Sequence, residues 1–322
     1  MNASEYNHKM PLSPIDLNSE VEFEEDILVS DLIKRYKTEL DIDISRLFSE
    51  NQLYISRYRC KNSGFVFFYP NTVVGDGKFY EDLQKFEWYY QTSKWEFRKT
   101  VEYLDRLSSE SLELLEIGSG TGNFLAYVKG ELPKANVLGL ELNQKAVEIA
   151  KKRSLNVCLE DLSVHSESNS CKYDVVVSFQ VLEHIPDPKK FIEDKVNLLK
   201  SGGRLIFAVP DNTLRGQSNL FCNNQGLLNC PPHHQGLWNA KSIAYLTKVF
   251  PLELEDYFIE PAESKPQMNV YRGFVKKSIL NRYGFIFGTL FYAFSLPFIK
   301  YTLSSVSEYL PAHSVLAVFR KL

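Results

Sequence analysis

The stretch LLEIGSGTGNFL (residues 114–125) runs from an apolar segment through three glycines into a second apolar segment. The first segment has the length and composition of a buried strand, and the second segment begins a predicted helix. Gly118, Gly120 and Gly122 permit a tight turn and let a ligand approach the backbone closely. A strand, a glycine loop and a helix in this order predict the first βα unit of a nucleotide-binding sheet.

The chain beyond this loop alternates between predicted strands and predicted helices. NVLGLEL (136–142), YDVVVSFQVL (173–182) and RLIFAVP (204–210) are apolar runs typical of buried parallel strands. Helical segments separate them, and Asn143 is a predicted N-cap of one such helix. This alternation predicts an α/β protein with a doubly wound parallel sheet and a ligand at the carboxyl ends of its strands.

Composition limits the classes of function. The 322 residues are 44% apolar and carry a net charge of −3, which argues against a nucleic-acid partner. The five cysteines are scattered, as in proteins of a reducing compartment, and the first residues lack the apolar core of a signal peptide. A cytoplasmic protein is expected.

Acidic residues follow the predicted strands near the glycine loop. Glu141 ends the second strand, roughly 20 residues after the loop, where a carboxylate accepts both hydroxyls of a ribose. Asp161 ends the third strand and either binds an adenine amino group or caps the next helix. Glu116 puts negative charge where a dinucleotide would place phosphate, and the loop departs from the G-x-G-x-x-G spacing. A cationic ligand therefore fits this loop better than NAD does.

Four motifs in order now define a resemblance: LLEIGSGTGNFL, GLELN, YDVVVSFQVLEHIPDP and LKSGGRLIFAVP. Over residues 112–260 the sequence resembles the class I S-adenosylmethionine-dependent methyltransferases, in the small-molecule branch that includes ubiquinone biosynthesis. The resemblance implies S-adenosylmethionine as cofactor. It also implies a Rossmann-like, seven-stranded sheet whose last strand, HSVLAVFRK (313–321), is antiparallel.

The resemblance also implies roles for single residues. Glu116 and the glycine loop would hold the methionine part of the donor, and Phe179 with Gln180 would face the reacting methyl group. Tyr90 and Lys94 lie four residues apart on a predicted helix and are expected to reach the donor's carboxylate. The predicted cofactor-binding residues are Glu116, Gly118, Ser119, Gly120, Gly122, Glu141, Leu142, Asp161, Leu162, Phe179, Gln180, Tyr90 and Lys94.

The stretch CPPHHQGLW (230–238) follows the fifth predicted strand, where this fold places a loop over the methyl donor. A bacterial subset of the family resembles this chain in the same loop. His233 and His234 are the predicted catalytic residues, because histidine is the usual general base near neutral pH. The alternative is a packed turn in which one ring stacks on Trp238 and the other bonds to the backbone. His184, in LEHIPDP, is interpreted as a structural turn residue.

The N-terminal region, 1–110, is predicted to be a lid with a loosely ordered start at 1–25, a β-hairpin at 53–69 and an aromatic helix at 78–107. No metal site is predicted, because the hairpin has Cys60 but Ser63 where a second thiolate would stand. The methyltransferase domain is assigned to 111–260 plus 313–322.

Residues 261–312 are predicted to be an apolar helical insertion. YGFIFGTLFYAFSLPFI (283–299) carries no charge and has Lys276, Lys277, Arg282 and Lys300 around it. Three interpretations stay open for 275–306: a buried helical hairpin, a homodimer interface, and peripheral contact with a membrane. The expected location is therefore cytoplasmic or membrane-associated.

The predicted function is methyl transfer from S-adenosylmethionine to a small-molecule acceptor, a sugar or a lipid-linked glycan intermediate. The first alternative is an O-methyltransferase acting on a phenol of the quinone-precursor type. Two alternatives from other classes are a non-catalytic nucleotide-binding module and an NAD-dependent oxidoreductase.

Overall fold

The computed structural model describes residues 10–86, 94–106, 111–212, 225–262, 265–306 and 311–322. The N-terminal elements are β1 (Val21–Leu28), α1 (Val29–Leu40), β2 (Tyr54–Cys60), β3 (Val66–Tyr69), α2 (Gly77–Leu83) and α3 (Trp95–Asp105). Then come β4 (Glu113–Ile117), α4 (Asn123–Glu131), β5 (Asn136–Glu141), α5 (Gln144–Lys152), β6 (Val157–Leu159), α6 (Leu162–Ser168), β7 (Tyr173–Phe179), α7 (Pro188–Leu198) and β8 (Leu199–Pro210). The remaining elements are α8 (Gln225–Leu228), β9 (Gly236–Leu237), α9 (Ala240–Val249), β10 (Leu252–Pro261), α10 (Lys265–Tyr283), α11 (Phe285–Ser305) and β11 (Pro311–Lys321).

The central sheet has seven strands in the order β10-β11-β8-β7-β4-β5-β6. Strands β4 to β8 pair in parallel, whereas β11 lies antiparallel to both β8 and β10. Val175, Val176 and Val177 are nearly inaccessible because helices cover both faces of the sheet. The predicted Rossmann-like, doubly wound fold with an antiparallel last strand is confirmed.

Side-chain caps begin the helices on the ligand edge of this sheet. The predicted N-cap Asn143 accepts a hydrogen bond from the Ala146 N–H at 3.2 Å. Asp187 accepts from the Lys190 N–H at 3.1 Å, and Pro188 occupies the first turn of α7. These caps satisfy amide groups that a helix start leaves open and so define where α5 and α7 begin.

A second sheet, in the order β1-β2-β3-β9, is antiparallel and forms the N-terminal region. The hairpin predicted at 53–69 is present as β2 and β3. The prediction of a loosely ordered start is wrong for residues 10–25, because Ile15 is fully buried and β1 begins at Val21. Cys60 is also fully buried in this region, and its thiol lies 3.0 Å from the Ser19 hydroxyl.

The single aromatic helix predicted over 78–107 is wrong. Helix α2 ends at Leu83, and Lys94 before α3 is extended, with φ −123° and ψ 147°. Residues 87–93, which include Tyr90, lie outside the described residues. Apolar residues at continuous helical spacing therefore belong to two separate helices, which pack in different buried clusters.

The segment between β10 and β11 contains two helices, α10 and α11, which we call the helical hairpin. Gly284 joins them with φ 72°, and Gly288 of α11 lies close to Leu280 of α10. Large apolar side chains of α11 are exposed, among them Phe294 at 87%. Gly288 alone is buried within α11. The interpretation as a hairpin buried in the core is therefore wrong. Within the described residues, α11 is the one helix long and apolar enough to cross a membrane.

Candidate functional site

The glycine loop lies between β4 and α4 and needs its glycines. Gly118, Gly120 and Gly122 have φ values of 72°, 53° and 78°, in the left-handed region. A Cβ on Gly118 would stand 2.6 Å from a methyl of Val181, and one on Gly122 would stand 2.5 Å from a methyl of Leu155. Larger residues would therefore be strained and would also collide with the neighbouring elements.

Glu141, at the end of β5, fixes this loop. One carboxylate oxygen accepts from the Gly120 N–H at 2.7 Å, and the other accepts from the Leu142 and Asn143 N–H groups, both at 2.8 Å. Charge-assisted bonds of this kind are strong. The predicted ribose acceptor thus also holds the loop against the second strand.

Glu116 lies beneath the loop and is 3% exposed. Burial raises the pKa of its carboxyl well above the usual range, and the positive charge of Lys94 opposes that rise. Its Oε2 has no hydrogen-bond partner within the described part of the chain. A buried acceptor oxygen without a donor is one that the ammonium group of an amino acid would satisfy, but Glu116 does not line the cleft, so its contact with the methionine part of S-adenosylmethionine stays a prediction.

A cleft of about 2140 Å³ opens at the carboxyl ends of the parallel strands. Single-ligand pockets measure roughly 300–1,000 Å³, so this cleft has room for a donor and an acceptor. Glu116, Ser119 and Gly122 lie behind its wall, and Tyr90 lies outside the described residues. The predicted residues that line the cleft are Gly118, Gly120, Glu141, Leu142, Asp161, Leu162, Phe179, Gln180, Lys94, His233 and His234.

Asp161 has the predicted capping role, and its predicted contact with adenine stays a prediction. Its Oδ1 accepts from the Ser163 N–H at 2.8 Å and from the Ser163 hydroxyl at 2.5 Å, which caps α6. The same residue lines the cleft with Leu162. Capping therefore does not remove Asp161 from the ligand wall.

Phe179 is the last residue of β7 and Gln180 follows it, and both line the cleft. Phe179 packs between Phe97 and Phe124, with ring centroids 5.2 and 4.7 Å away. Gln180 has φ 55°, which is uncommon for a residue with a side chain and is often associated with functional sites. Its amide donates to the Ser314 hydroxyl at 3.0 Å.

Glu96 was not predicted, although it lines the cleft beside Gln180. The Gln180 amide reaches its carboxylate at 3.5 Å, and burial raises the pKa of the Glu96 carboxyl. Glu260 lies nearby at the end of β10 and accepts from the His313 and Ser314 N–H groups at 3.1 and 3.0 Å. A signal for Glu96 existed, because helical spacing places it on the buried stripe of Thr100 and Tyr103.

His233 and His234 line the cleft as predicted, and His184 joins them. The ring centroids of His233 and His234 are 4.4 Å apart. The ring centroid of His184 lies 4.6 Å from that of His233 and 5.0 Å from that of His234. His184 ends a 3-10 turn over Leu182–His184, so it is a turn residue that also belongs to the site. Trp238 packs on Phe65 at 4.5 Å, so the predicted stacking of a histidine on Trp238 is wrong.

The electrostatics weaken the general-base hypothesis for His233. Burial lowers the pKa of His184 to about 4, and burial together with His184 lowers the pKa of His233 well below its usual range. A general base works best with a pKa near the operating pH. His233 and His184 are therefore neutral at pH 7 and poor proton acceptors.

The family model described as a methyltransferase domain matches residues 92–255. The ubiquinone biosynthesis O-methyltransferase of Vibrio cholerae serotype O1 is 27% identical over 125 residues, which cover 37% of this chain and 50% of that protein. A protein of the same name from Shewanella pealeana is 24% identical over 173 residues, covering 51% and 64%. The chain thus spans between half and two thirds of the length of these two relatives.

A structural relative has also been solved. A putative sarcosine dimethylglycine methyltransferase from Galdieria sulphuraria aligns with 74% of this chain and 86% of its own, at 13% identity and a TM-score of 0.45.

Proposed function

Because the chain belongs to the methyltransferase-domain family and has the class I, S-adenosylmethionine-dependent fold, we propose that it methylates a polar group of a membrane-associated acceptor. The acceptor class is a sugar or glycan intermediate carried on a lipid. The observation that carries this proposal is the exposed apolar helix α11, which leaves the fold at the edge of the cleft.

The cleft wall beyond Gln180 supports a hydroxyl-bearing acceptor. Glu96, Glu260, His313 and Ser314 give this wall hydrogen-bonding groups. In the transfer, a lone pair of the acceptor oxygen forms the bond to the methyl carbon while the carbon–sulfur bond breaks and its electron pair stays on sulfur. The hydroxyl proton leaves to a base, and the raised pKa of Glu96 suits that role.

The chain path places the helical hairpin beside this wall. Pro261, where β10 ends, and His313, near the start of β11, both line the cleft. The hairpin is the connection between these two strands. An acceptor whose lipid stays in a bilayer touching α11 would therefore present its polar group near the cleft mouth.

The distribution of exposed side chains on α11 favours lipid over a second copy of the chain. Phe285, Ile286 and Phe287 are consecutive and 70–79% exposed. Successive helical residues point about 100° apart, so these three alone cover much of the circumference. A dimer interface needs one apolar stripe, whereas lipid surrounds a helix on every side that protein does not cover.

The charged residues favour contact in the plane of the membrane surface. Helix α11 has 21 residues, close to the roughly 20 needed to span a bilayer, yet both ends of the helical hairpin connect to one sheet. Exposed Lys276 and Lys277 lie on α10, and Arg282 lies next to the hairpin tip. Burying Arg282 in hydrocarbon would be costly, whereas cations at the headgroups of anionic lipid stabilise contact by about 1 kcal/mol each.

The test is co-sedimentation of the whole protein with vesicles of anionic phospholipid. We expect the protein to pellet with the vesicles, and to do so less at high salt. A Phe294→Glu, Phe298→Glu variant should stay in solution, and Lys276→Gln, Lys277→Gln, Lys300→Gln should bind weakly. Leu53→Glu, at a residue 63% exposed before β2, is the matched control and should bind normally.

Two outcomes would contradict the membrane proposal. They are a wild-type protein that ignores the vesicles and a stable dimer without lipid dependence. Transfer of a labelled methyl group from S-adenosylmethionine into a lipid extract, and its absence from an aqueous extract, tests the acceptor class. The similarity to ubiquinone biosynthesis O-methyltransferases favours a second candidate, a phenolic quinone precursor, which would appear in the same lipid fraction without sugar.

A further inference from the structure

The three histidines at the cleft come from two loops that the fold clamps together. His184 follows β7, whereas His233 and His234 precede β9. The Nδ1 of His184 donates to the His233 carbonyl at 2.6 Å, and the Gln235 N–H donates to the Glu183 carbonyl at 2.7 Å. Two hydrogen bonds between the same loops hold the rings in place.

All three rings use Nδ1 in the same way. His233 Nδ1 lies 2.9 Å from the Leu228 carbonyl oxygen, and His234 Nδ1 lies 3.1 Å from the Asn229 side-chain oxygen. A carbonyl oxygen only accepts, so each ring donates from Nδ1 and carries its lone pair on Nε2. This is the arrangement in which metal-ligating histidines are held.

The distances suit one small cation. Among the described residues these three side chains have potential ligand atoms that all lie within 4.8 Å of one another. Bonds of about 2.0–2.1 Å to tetrahedral zinc separate the ligand nitrogens by about 3.3 Å, so the rings would have to shift to bring their ligand atoms closer together. The Glu183 side chain, 1% exposed, lies beside the cluster, with one carboxyl oxygen 3.9 Å from His184 Nε2.

We infer that His184, His233 and His234 bind a divalent transition-metal ion, zinc by the nature of the donors, in the wall of the cleft. Three imidazoles with one open position are the ligand set of catalytic rather than structural zinc. The sequence alone predicted no metal site. A zinc ion bound there would lower the pKa of a coordinated hydroxyl. His184 follows Gln180 by four residues in the sequence, and both line the cleft.

The experiment is a metal titration of the whole chain with any affinity tag removed. After chelator dialysis we expect one equivalent of Zn²⁺ to bind by calorimetry, and Co²⁺ to give visible absorption bands of a nitrogen-rich site. His184→Gln and His234→Gln should each weaken binding by more than about tenfold. His165→Gln is the matched control, because His165 bonds to Glu160 and Tyr173 at a separate place and should keep one equivalent.

A second measurement uses only the wild-type protein, in case a variant fails to fold. Bound Zn²⁺ should slow the acylation of His184, His233 and His234 by diethyl pyrocarbonate, and not that of the exposed His313, read by peptide mass spectrometry. Absence of stoichiometric Zn²⁺ binding by the wild type would overturn the inference, as would protection of other histidines. Neither measurement uses an acceptor or a lipid, so their result is independent of the proposed function.

Discussion

Glu141 has a structural role in the glycine loop and also lies in the wall of the cleft. It accepts three backbone N–H groups, and these bonds join the glycine loop to the end of β5. The same side chain lines the cleft. Removing it therefore changes the wall of the cleft and leaves one amide of the loop, Gly120, and two amides after β5, Leu142 and Asn143, without their acceptor.

Glu141→Ala should weaken binding of S-adenosylhomocysteine by roughly 1–3 kcal/mol, since a charged acceptor of hydrogen bonds is lost. Isothermal calorimetry measures this change. Glu131→Ala, at an exposed carboxylate near the end of α4, is the control and should bind like the wild type. Equal affinity in the two variants would show that Glu141 does not contact the donor.

At the scale of single residues, the sequence predicted the site residues that stand at the ends of strands. It missed the contacts between residues that are far apart in the sequence. Gly118, Glu141 and Asp161 follow their strands directly, so topology alone brings them together. The contact of His184 with His233 joins positions 49 apart, and it depends on how two loops meet. Glu96 was missed because the apolar stripe around it was interpreted as core alone.

Among the elements, α7 and β7 meet through a buried lysine. Lys195 of α7 is fully buried, and its Nζ donates to the Ser178 hydroxyl of β7 at 2.7 Å. The rings of Phe191 and Phe207 lie 5.1 and 5.6 Å from the same nitrogen. Burial lowers the pKa of Lys195 to about 7, because the charged form loses its water.

This contact makes stability depend on pH. Between about pH 7 and the unfolded value of about 10.4, the unfolded chain binds the Lys195 proton and the folded chain does not. The free energy of unfolding should therefore rise with pH in this range, by at most about 1.4 kcal/mol per unit from this group. Denaturant titrations at about pH 7, 8.5 and 10 should show a rise that is absent in Lys195→Met.

The control for this prediction is Lys200→Met, at a partly exposed lysine whose Nζ lies 2.9 Å from Asp174. It should keep the wild-type dependence on pH. An unchanged slope in Lys195→Met would show that the buried amine is not the titrating group.

The strands of the central sheet were predictable because short, fully apolar runs are typical of buried parallel strands. Helix α2 and helix α3 were not separated, since both are apolar at helical spacing and their break depends on tertiary partners. Strand β9 has two residues, Gly236 and Leu237, and pairs with β3, far away in the sequence. A two-residue strand leaves no periodic pattern to detect.

The whole molecule shares one core across the predicted boundary at residue 110. Ile15, Tyr58 and Phe67 of the N-terminal region pack in the same buried cluster as Leu115 and Val176 of the central sheet. Strand β9 belongs to the N-terminal sheet although the chain reaches it after β8. The lid region is therefore continuous with the methyltransferase fold in its packing.

The shared core predicts a single cooperative unfolding transition for both sheets. Differential scanning calorimetry should give one peak whose calorimetric and van't Hoff enthalpies agree. Phe67→Ala should lower the midpoint of that one transition by removing buried contacts. Two resolved peaks, with only the first shifted by Phe67→Ala, would instead indicate two independent units.

The proposed contact of the helical hairpin with a membrane would have a kinetic consequence. An enzyme seated on a bilayer meets a lipid-borne acceptor by diffusion in two dimensions, while its methyl donor still arrives through water. The turnover rate then follows the mole fraction of acceptor in the surface, and inert lipid slows the reaction by surface dilution even when the total acceptor is constant. The concentration of the methyl donor would thus be expressed per volume of water, and that of the acceptor per area of membrane.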